Sequence, residues 1–263
     1  MTTGIKIMWI NPLGYDAYDQ PMADFIAGIK RDDTQVDVVS LDVPGSPNHL
    51  EYRTYEGLML GDTIRATREA AVNDYDAVVI GCFYDPGIED AREISGEAVV
   101  VAPCQASVQI AANLANRFSV IVGREKWVGQ MTERVTTYGY RDKLASMRAI
   151  NLGASELQTD CGLTISRIME AGRRAIEEDG AEALLLGCTC NFGLYRDVQA
   201  ELGVPVIDPI CAAFKMAEDL AHMKKVFGWT PSRIGSCAPP PEEELASFGV
   251  FTGRTSIKNR VSA

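Results

Sequence analysis

Two stretches of this chain share one design. Residues 77–94 read AVVIGCFYDPGIEDAREI, and residues 183–200 read ALLLGCTCNFGLYRDVQA. Each is an apolar run that ends in Gly-Cys, turns, and enters a helix-like segment. The match continues at a fixed offset of 106 (188 − 82 = 106; 209 − 103 = 106), with no gap. Gly81 pairs with Gly187, Cys82 with Cys188 and Gly87 with Gly193. Farther on, Pro103, Ala106, Ala111 and Leu114 pair with Pro209, Ala212, Ala217 and Leu220. A repeated supersecondary unit constrains the fold strongly, because both copies must take the same local structure. Two α/β halves related by a pseudo-two-fold are expected.

Apolar strand patterns alternate with helical ones along the whole chain. The strands are IKIMWINP, QVDVVSL, DAVVIG, EAVVVA, FSVIVG, RAINL, ALLLG and VPVID. Helical patterns lie between them: MADFIAGIKR, 52–73, DAREIS, SVQIAANLANR, 166–178, a segment after Gly193, and 212–224. Continuous apolar strands separated by helices imply mainly parallel sheets flanked by helices. The expected lobes are 1–115 with 209–263, which includes a C-terminal arm, and 116–208. The stretch PSRIGSCAPPPEEELASFG is unlike a packed core segment, and its prolines predict an extended arm over the domain or a neighbouring subunit.

Bulk properties narrow the function. The 263 residues suffice for real cores, and a net charge of −11 argues against nucleic acid, which needs a basic surface. No apolar run approaches the roughly 20 residues of a membrane span. The N-terminal segment reads as a strand and not as a signal peptide, so a cytoplasmic protein is expected. Seven cysteines, an odd number, argue against a disulfide framework. Cys188 and Cys190 have C-x-C spacing, but no second pair accompanies them and His49 and His222 stand alone, so no metal is expected.

The repeat gives two of the cysteines a chemical meaning. Ligands of open parallel sheets bind beyond the carboxyl ends of strands, where Cys82 and Cys188 fall. A lone strand-end cysteine is usually core filler. Two of them at equivalent positions, each followed by polar turn residues, suggest a pair of thiols facing one cleft. A thiolate activated near a helix N-terminus is a fair base. Two such groups on opposite faces of a carbon can invert it, one removing a proton and the other donating one. No cofactor is needed when a carbonyl already activates the carbon.

The sequence resembles the aspartate/glutamate racemase superfamily, and within it the hydantoin and allantoin racemases. The stretches that carry the resemblance are INP at Asn11, GCFYDPGIEDARE, RFSVIV, AIEEDGAEALLLGC, LGVPVIDPICAAFKMAE and TPSRIGSCAPPP. It spans about residues 5 to 245. It implies a cofactor-independent racemase with two α/β lobes, an active site between them, and Cys82 and Cys188 as the acid/base pair. Tyr84 stands where hydantoin racemases usually have glycine, and Thr189-Cys190-Asn191 where they usually have Ala-Gly-Met. Gly-Cys-Thr is similar to the form in aspartate and glutamate racemases, whose threonine helps hold a substrate carboxylate.

Six further residues are candidates for substrate binding. Asn11 is either an ordinary turn residue or a polar contact to substrate. Phe83 and Tyr84 are expected to wall the pocket, and Asp85 and Thr189 either cap local turns or meet the ligand. Asn191 completes the set. Arg124 is either solvated surface or the partner of an anionic substrate. The expected substrate is a small molecule, a 5-substituted hydantoin or allantoin, and the expected assembly a homo-oligomer. An amino-acid racemase, an arylmalonate-type decarboxylase or a related isomerase on this scaffold are the alternatives. A non-catalytic two-lobed binding protein is a further alternative, but it would leave the paired thiols without a function.

Overall fold

The computed structural model describes residues 4–252 and 256–263. It contains two sheets of mostly parallel strands flanked by helices. The first is built from β1 (Ile5–Asn11), β2 (Thr34–Leu41), β3 (Ala77–Ile80) and β4 (Val99–Val101) in the order β4-β3-β1-β2. The second is built from β5 (Phe118–Val122), β6 (Leu144–Ala149), β7 (Ala183–Leu186) and β8 (Val206–Ile207) in the order β8-β7-β5-β6. The two orders are the same, strand for strand. β3 shifted by 106 lands on β7 (77 + 106 = 183; 80 + 106 = 186). The offset seen in the sequence is therefore an offset between structural equivalents.

The strands are apolar throughout because both faces are covered. Every residue of β3 (AVVI) and of β7 (ALLL) is buried. A fully buried Val, Leu or Ile contributes about 1.5–3 kcal/mol, so these short strands are anchored by packing as well as by their ladders. Nine α-helices occur among the described residues. Those that bear on the repeat are α3 (Ile88–Ile94), α4 (Pro103–Leu114), α7 (Tyr195–Leu202) and α8 (Pro209–Phe227). The prolines that begin α4 and α8 stand at matched positions, where a missing N–H costs nothing and φ is already helical.

The chain forms two compact units. One is Met1–Gly81, Pro86–Val101 and Phe214–Ala263; the other is Cys82–Asp85 and Ala102–Ala213. The segment carrying Cys82 thus belongs to the unit built on the second sheet.

Several elements differ from the sequence reading or were absent from it; the strand expected over RAINL (148–152) lies earlier, as β6. The expected extended arm contains α9 (Glu242–Phe248), preceded by Pro241 and with three glutamates in its first turn. Those charges favour the positive end of the helix dipole, so the proline-rich run ends by starting a helix. α5 (Val128–Thr137) is not among the expected helices; its glycine and β-branched residues are poor helix formers, although Met131 and Val135 are buried on one face. The last strand, β9 (Ile257–Ser262), adds antiparallel to β2 and covers that edge of the first sheet. Its lysine, asparagine and arginine suit an exposed edge strand and hide it from a search for apolar runs.

Candidate active site

Each cysteine turn starts with a glycine that the sheet demands. The Gly81 amide donates to the Ile10 carbonyl at 2.7 Å, and the Gly187 amide to the Ile121 carbonyl at 2.8 Å. Each bond carries a parallel ladder one residue beyond its strand. A Cβ on residue 81 would stand 2.3 Å from Trp9 Nε1, and one on residue 187 would stand 2.9 Å from the Ile121 carbonyl. Only glycine fits, and the cysteine is the next residue out.

Both turns then close in the same way. The Asp85 amide donates to the Cys82 carbonyl at 2.9 Å, and the Asn191 amide to the Cys188 carbonyl at 3.0 Å. Cys82 and Cys188 are half-buried. In each sheet the chain runs to opposite sides of the first strand, so β1/β3 and β5/β7 are the points where strand order reverses. Ligands of open α/β sheets bind at the carboxyl ends of such strands. The helices expected to activate the thiols begin only at Ile88 and Tyr195. That is more than one turn beyond each cysteine, where the dipole of α3 or α7 acts weakly.

Asp85 lies at the centre of a bonded cluster. It is fully buried and adopts φ 49°, an uncommon conformation for a residue with a side chain. Its Oδ1 accepts from the Cys104 amide at 2.8 Å, and its Oδ2 accepts from the Gln105 amide and the Tyr138 hydroxyl, both at 2.8 Å. Burial pushes the Asp85 carboxyl up to about 7, against these three donors and the Arg134 charge, which pull it down. Burial and the neighbouring carboxylate push the Tyr138 hydroxyl well above its ordinary value. Burial likewise raises the Cys104 thiol, which fits packing and not catalysis.

The second half contains a counterpart made from different residues. Asp208 is buried at the end of β8; its Oδ1 accepts from the Ile210 and Cys211 amides at 2.9 and 3.2 Å, and its Oδ2 from the Gly193 amide at 2.8 Å. Burial pushes its carboxyl upward too. The sequence reading missed Asp208 and Tyr138. VPVID marked Asp208 as a strand end, but nothing local linked Tyr138 to a residue 53 positions away.

Phe83, Tyr84 and Thr189 are buried on the two turns. Asn191 is also buried, and its Oδ1 has no hydrogen-bond partner among the described residues. Asn11 belongs to the other compact unit. Its amide donates to the Tyr15 carbonyl, Ser40 Oγ and Asp19 Oδ1 at 3.1–3.2 Å. Arg124 pairs with Glu156 at 3.1 Å, and the Cys190 carbonyl accepts from Gln158 at 2.6 Å. Among the described residues no three His, Cys, Asp or Glu side chains are grouped to hold a metal ion, and no helix is long and apolar enough to cross a membrane.

The profile of the Asp/Glu/Hydantoin racemase family matches residues 7–217. The chain belongs to the Asp/Glu/Hydantoin racemase family. It is 33% identical to a hydantoin racemase of Pseudomonas sp. (strain NS671) over 249 residues, 93% of this chain and 97% of that one. It is 34% identical over 205 residues to a hydantoin racemase of Rhizobium meliloti, covering 78% of this chain and 83% of the relative. Among solved structures, an allantoin racemase from Klebsiella pneumoniae superposes with a TM-score of 0.84 at 28% identity, covering 91% of this chain and 95% of that one. A glutamate racemase from Francisella tularensis shares the fold at a TM-score of 0.57 and 15% identity, covering 95% of this chain and 94% of that one. The α/β architecture and the racemase family expected from the residues are both borne out.

Proposed function

We propose that this chain racemises a hydantoin-type substrate, a 5-substituted hydantoin or allantoin, through two thiols and without a cofactor. The observation that carries this reading is the pair of equivalent Gly-Cys turns at the carboxyl ends of β3 and β7, in a chain homologous to hydantoin racemases. The C5–H of a hydantoin is flanked by a carbonyl and a nitrogen, so its anion is stabilised as an enolate. One thiolate, Cys82 or Cys188, takes the proton; the C–H electron pair moves into the carbonyl and an S–H bond forms. The other thiol then gives its proton to the opposite face, and its sulfur keeps the S–H pair. The product is the mirror image and the pair has exchanged roles, so the next turnover runs in reverse.

The polar neighbours suit this chemistry. Asn191 Oδ1, buried and unbonded, is a ready acceptor for a ring N–H. Phe83, Tyr84 and Thr189 sit on the same turns as the thiols and line the pocket in this reading. Asn11, whose amide donates within its own unit, is a further proposed substrate contact. Free thiols suit a reducing cytoplasm. Exposed Trp229, Ile234 and Phe248 favour a homo-oligomer, which light scattering would detect as a multiple of the chain mass.

Gly187-Cys188-Thr189 favours a second reading, an amino-acid racemase, because the threonine hydroxyl can hold a carboxylate. One screen separates the two. Pure enantiomers of several 5-substituted hydantoins, allantoin, aspartate and glutamate are followed by optical rotation with no cofactor added. Rotation lost from a hydantoin supports the proposal. Loss from aspartate or glutamate alone supports the alternative, and no loss from any of them sinks both.

A further inference from the structure

The repeat keeps its Gly-Cys pair, the turn glycine and the helix-opening proline at matched positions, but it moves one acid. Asp85 of the first half corresponds to Asn191 of the second (85 + 106 = 191), and Ala102 corresponds to Asp208 (102 + 106 = 208). The acid has moved, yet it reaches the same target. Cys104 and Gln105, whose amides bond Asp85, correspond to Ile210 and Cys211, whose amides bond Asp208. Each half therefore places one buried carboxylate on the opening amides of its Pro-initiated helix, α4 or α8. Each carboxylate also fastens the cysteine turn: Asp85 is a member of that turn, and Asp208 holds the amide of Gly193 where the Cys188 turn ends.

We infer that Asp85 and Asp208 are positioning residues, one for each cysteine, each tying its thiol-bearing turn to the amino end of α4 or α8. Asp208 caps α8 from the residue before Pro209 and adds the bond to Gly193, whereas for Asp85 a helix cap alone does not require the arrangement. Most helices are capped by a residue at the N-cap itself, yet α4 has Ala102 there and borrows its anion from the Cys82 turn. Asp85 takes the disfavoured φ of 49° to make that reach. It carries a third bond, from Tyr138, that the cap does not need. Asp85 has no exposed surface left for a ligand, so it acts on the reaction through Cys82 and not by touching substrate.

The inference rests on Cys82 and Cys188 being the acid/base pair, so its test does not depend on turnover. The folded protein is alkylated with iodoacetamide, and the rate at each cysteine is read by peptide mass spectrometry. At pH 8, where the Asp85 carboxyl is ionised, Asp85→Asn removes a negative charge beside Cys82 and loosens its turn. Cys82 is expected to react roughly fivefold or more faster while Cys188 stays within about twofold. Asp208→Asn is expected to do the reverse. Tyr138→Phe keeps both amide bonds to Asp85 and is expected to give a smaller change confined to Cys82; it carries the test should Asp85→Asn fail to fold. In the racemase assay both acid variants are expected to lose at least about tenfold in kcat with KM nearly unchanged. A variant that speeds both cysteines equally, or neither, overturns the inference. Selective alkylation in a protein that racemises nothing would instead overturn the proposed function and leave the positioning role standing.

Discussion

The turn after β3 and the turn after β7 start from one template and diverge within four residues. In both, a glycine amide extends the parallel ladder, a cysteine follows, and a main-chain bond closes the turn on the cysteine carbonyl. After that the Cys82 turn supplies its own carboxylate from a left-handed residue, whereas the Cys188 turn takes its carboxylate from the end of β8. What is kept is the physical requirement: a small residue where the strands crowd, and an anion on the free amides of the next helix. The residue that meets the requirement is free to move. The Cys188 turn therefore has a neutral, buried Asn191 where the Cys82 turn has an acid. The two ends of the proposed proton path share the Gly-Cys step and the bond that closes the turn, and differ in backbone conformation and charge at the fourth residue.

The largest expected effect tests whether the two turns are equivalent in chemistry. Cys82→Ser and Cys188→Ser should each lower racemisation in both directions by about 10³-fold or more, because the pair acts as a unit. Proton NMR of each pure enantiomer in deuterated buffer should show surviving α-proton exchange for one enantiomer in the first variant and for the other enantiomer in the second. Similar exchange of both enantiomers by both variants would point to a single base.

Stability separates the two glycines. Gly81→Ala drives a methyl into the Trp9 ring edge as well as the Ile10 carbonyl, whereas Gly187→Ala meets the Ile121 carbonyl and the Val120 methyl at 2.9–3.0 Å. We expect a loss of about 3 kcal/mol for the first and about 1–2 kcal/mol for the second in urea denaturation. The reverse order would mean that the second ladder is the less forgiving.

A smaller effect falls on binding. Asn191→Ala should raise KM about tenfold, the value of one buried hydrogen bond to substrate, with a modest change in kcat. An unchanged KM would remove Asn191 from the site.

The smallest effect is a slope. Burial raises the Asp85 carboxyl from 3.8 to about 7 in the folded chain. The folded state then holds a proton that the unfolded state releases, and the stability this gives is complete below about 4 and is lost as pH rises through about 7. Wild-type stability should therefore fall from pH 4 to 7 more steeply than that of Asp85→Asn, measured by denaturant midpoints. Equal slopes would mean that Asp85 stays ionised across that range.

Much of the architecture was legible because the sheets are covered on both faces. Runs such as AVVI and ALLL have no polar alternative, and the fixed offset announced that they were equivalent. Candidate residues next to a strand end, such as Cys82, Asp85 and Thr189, could be found the same way. Elements that depend on context were not legible. β9 reads as polar chain until β2 offers it an edge, and α9 hides behind prolines that signal extension as readily as a helix start.

The sequence by itself determined the alternation of strands and helices, the repeat, and the glycine-cysteine pairs, because each of these is local: a pattern of burial, or a residue type that one backbone position admits. Only the tertiary structure decided what surrounds those pairs. Tyr138 meets Asp85 across 53 residues, and Asp208 reaches Gly193 across 15. A buried carboxylate is tolerable only when donors surround it, and those donors come from whichever segments packing brings together. No local pattern in the chain encodes which segments those are.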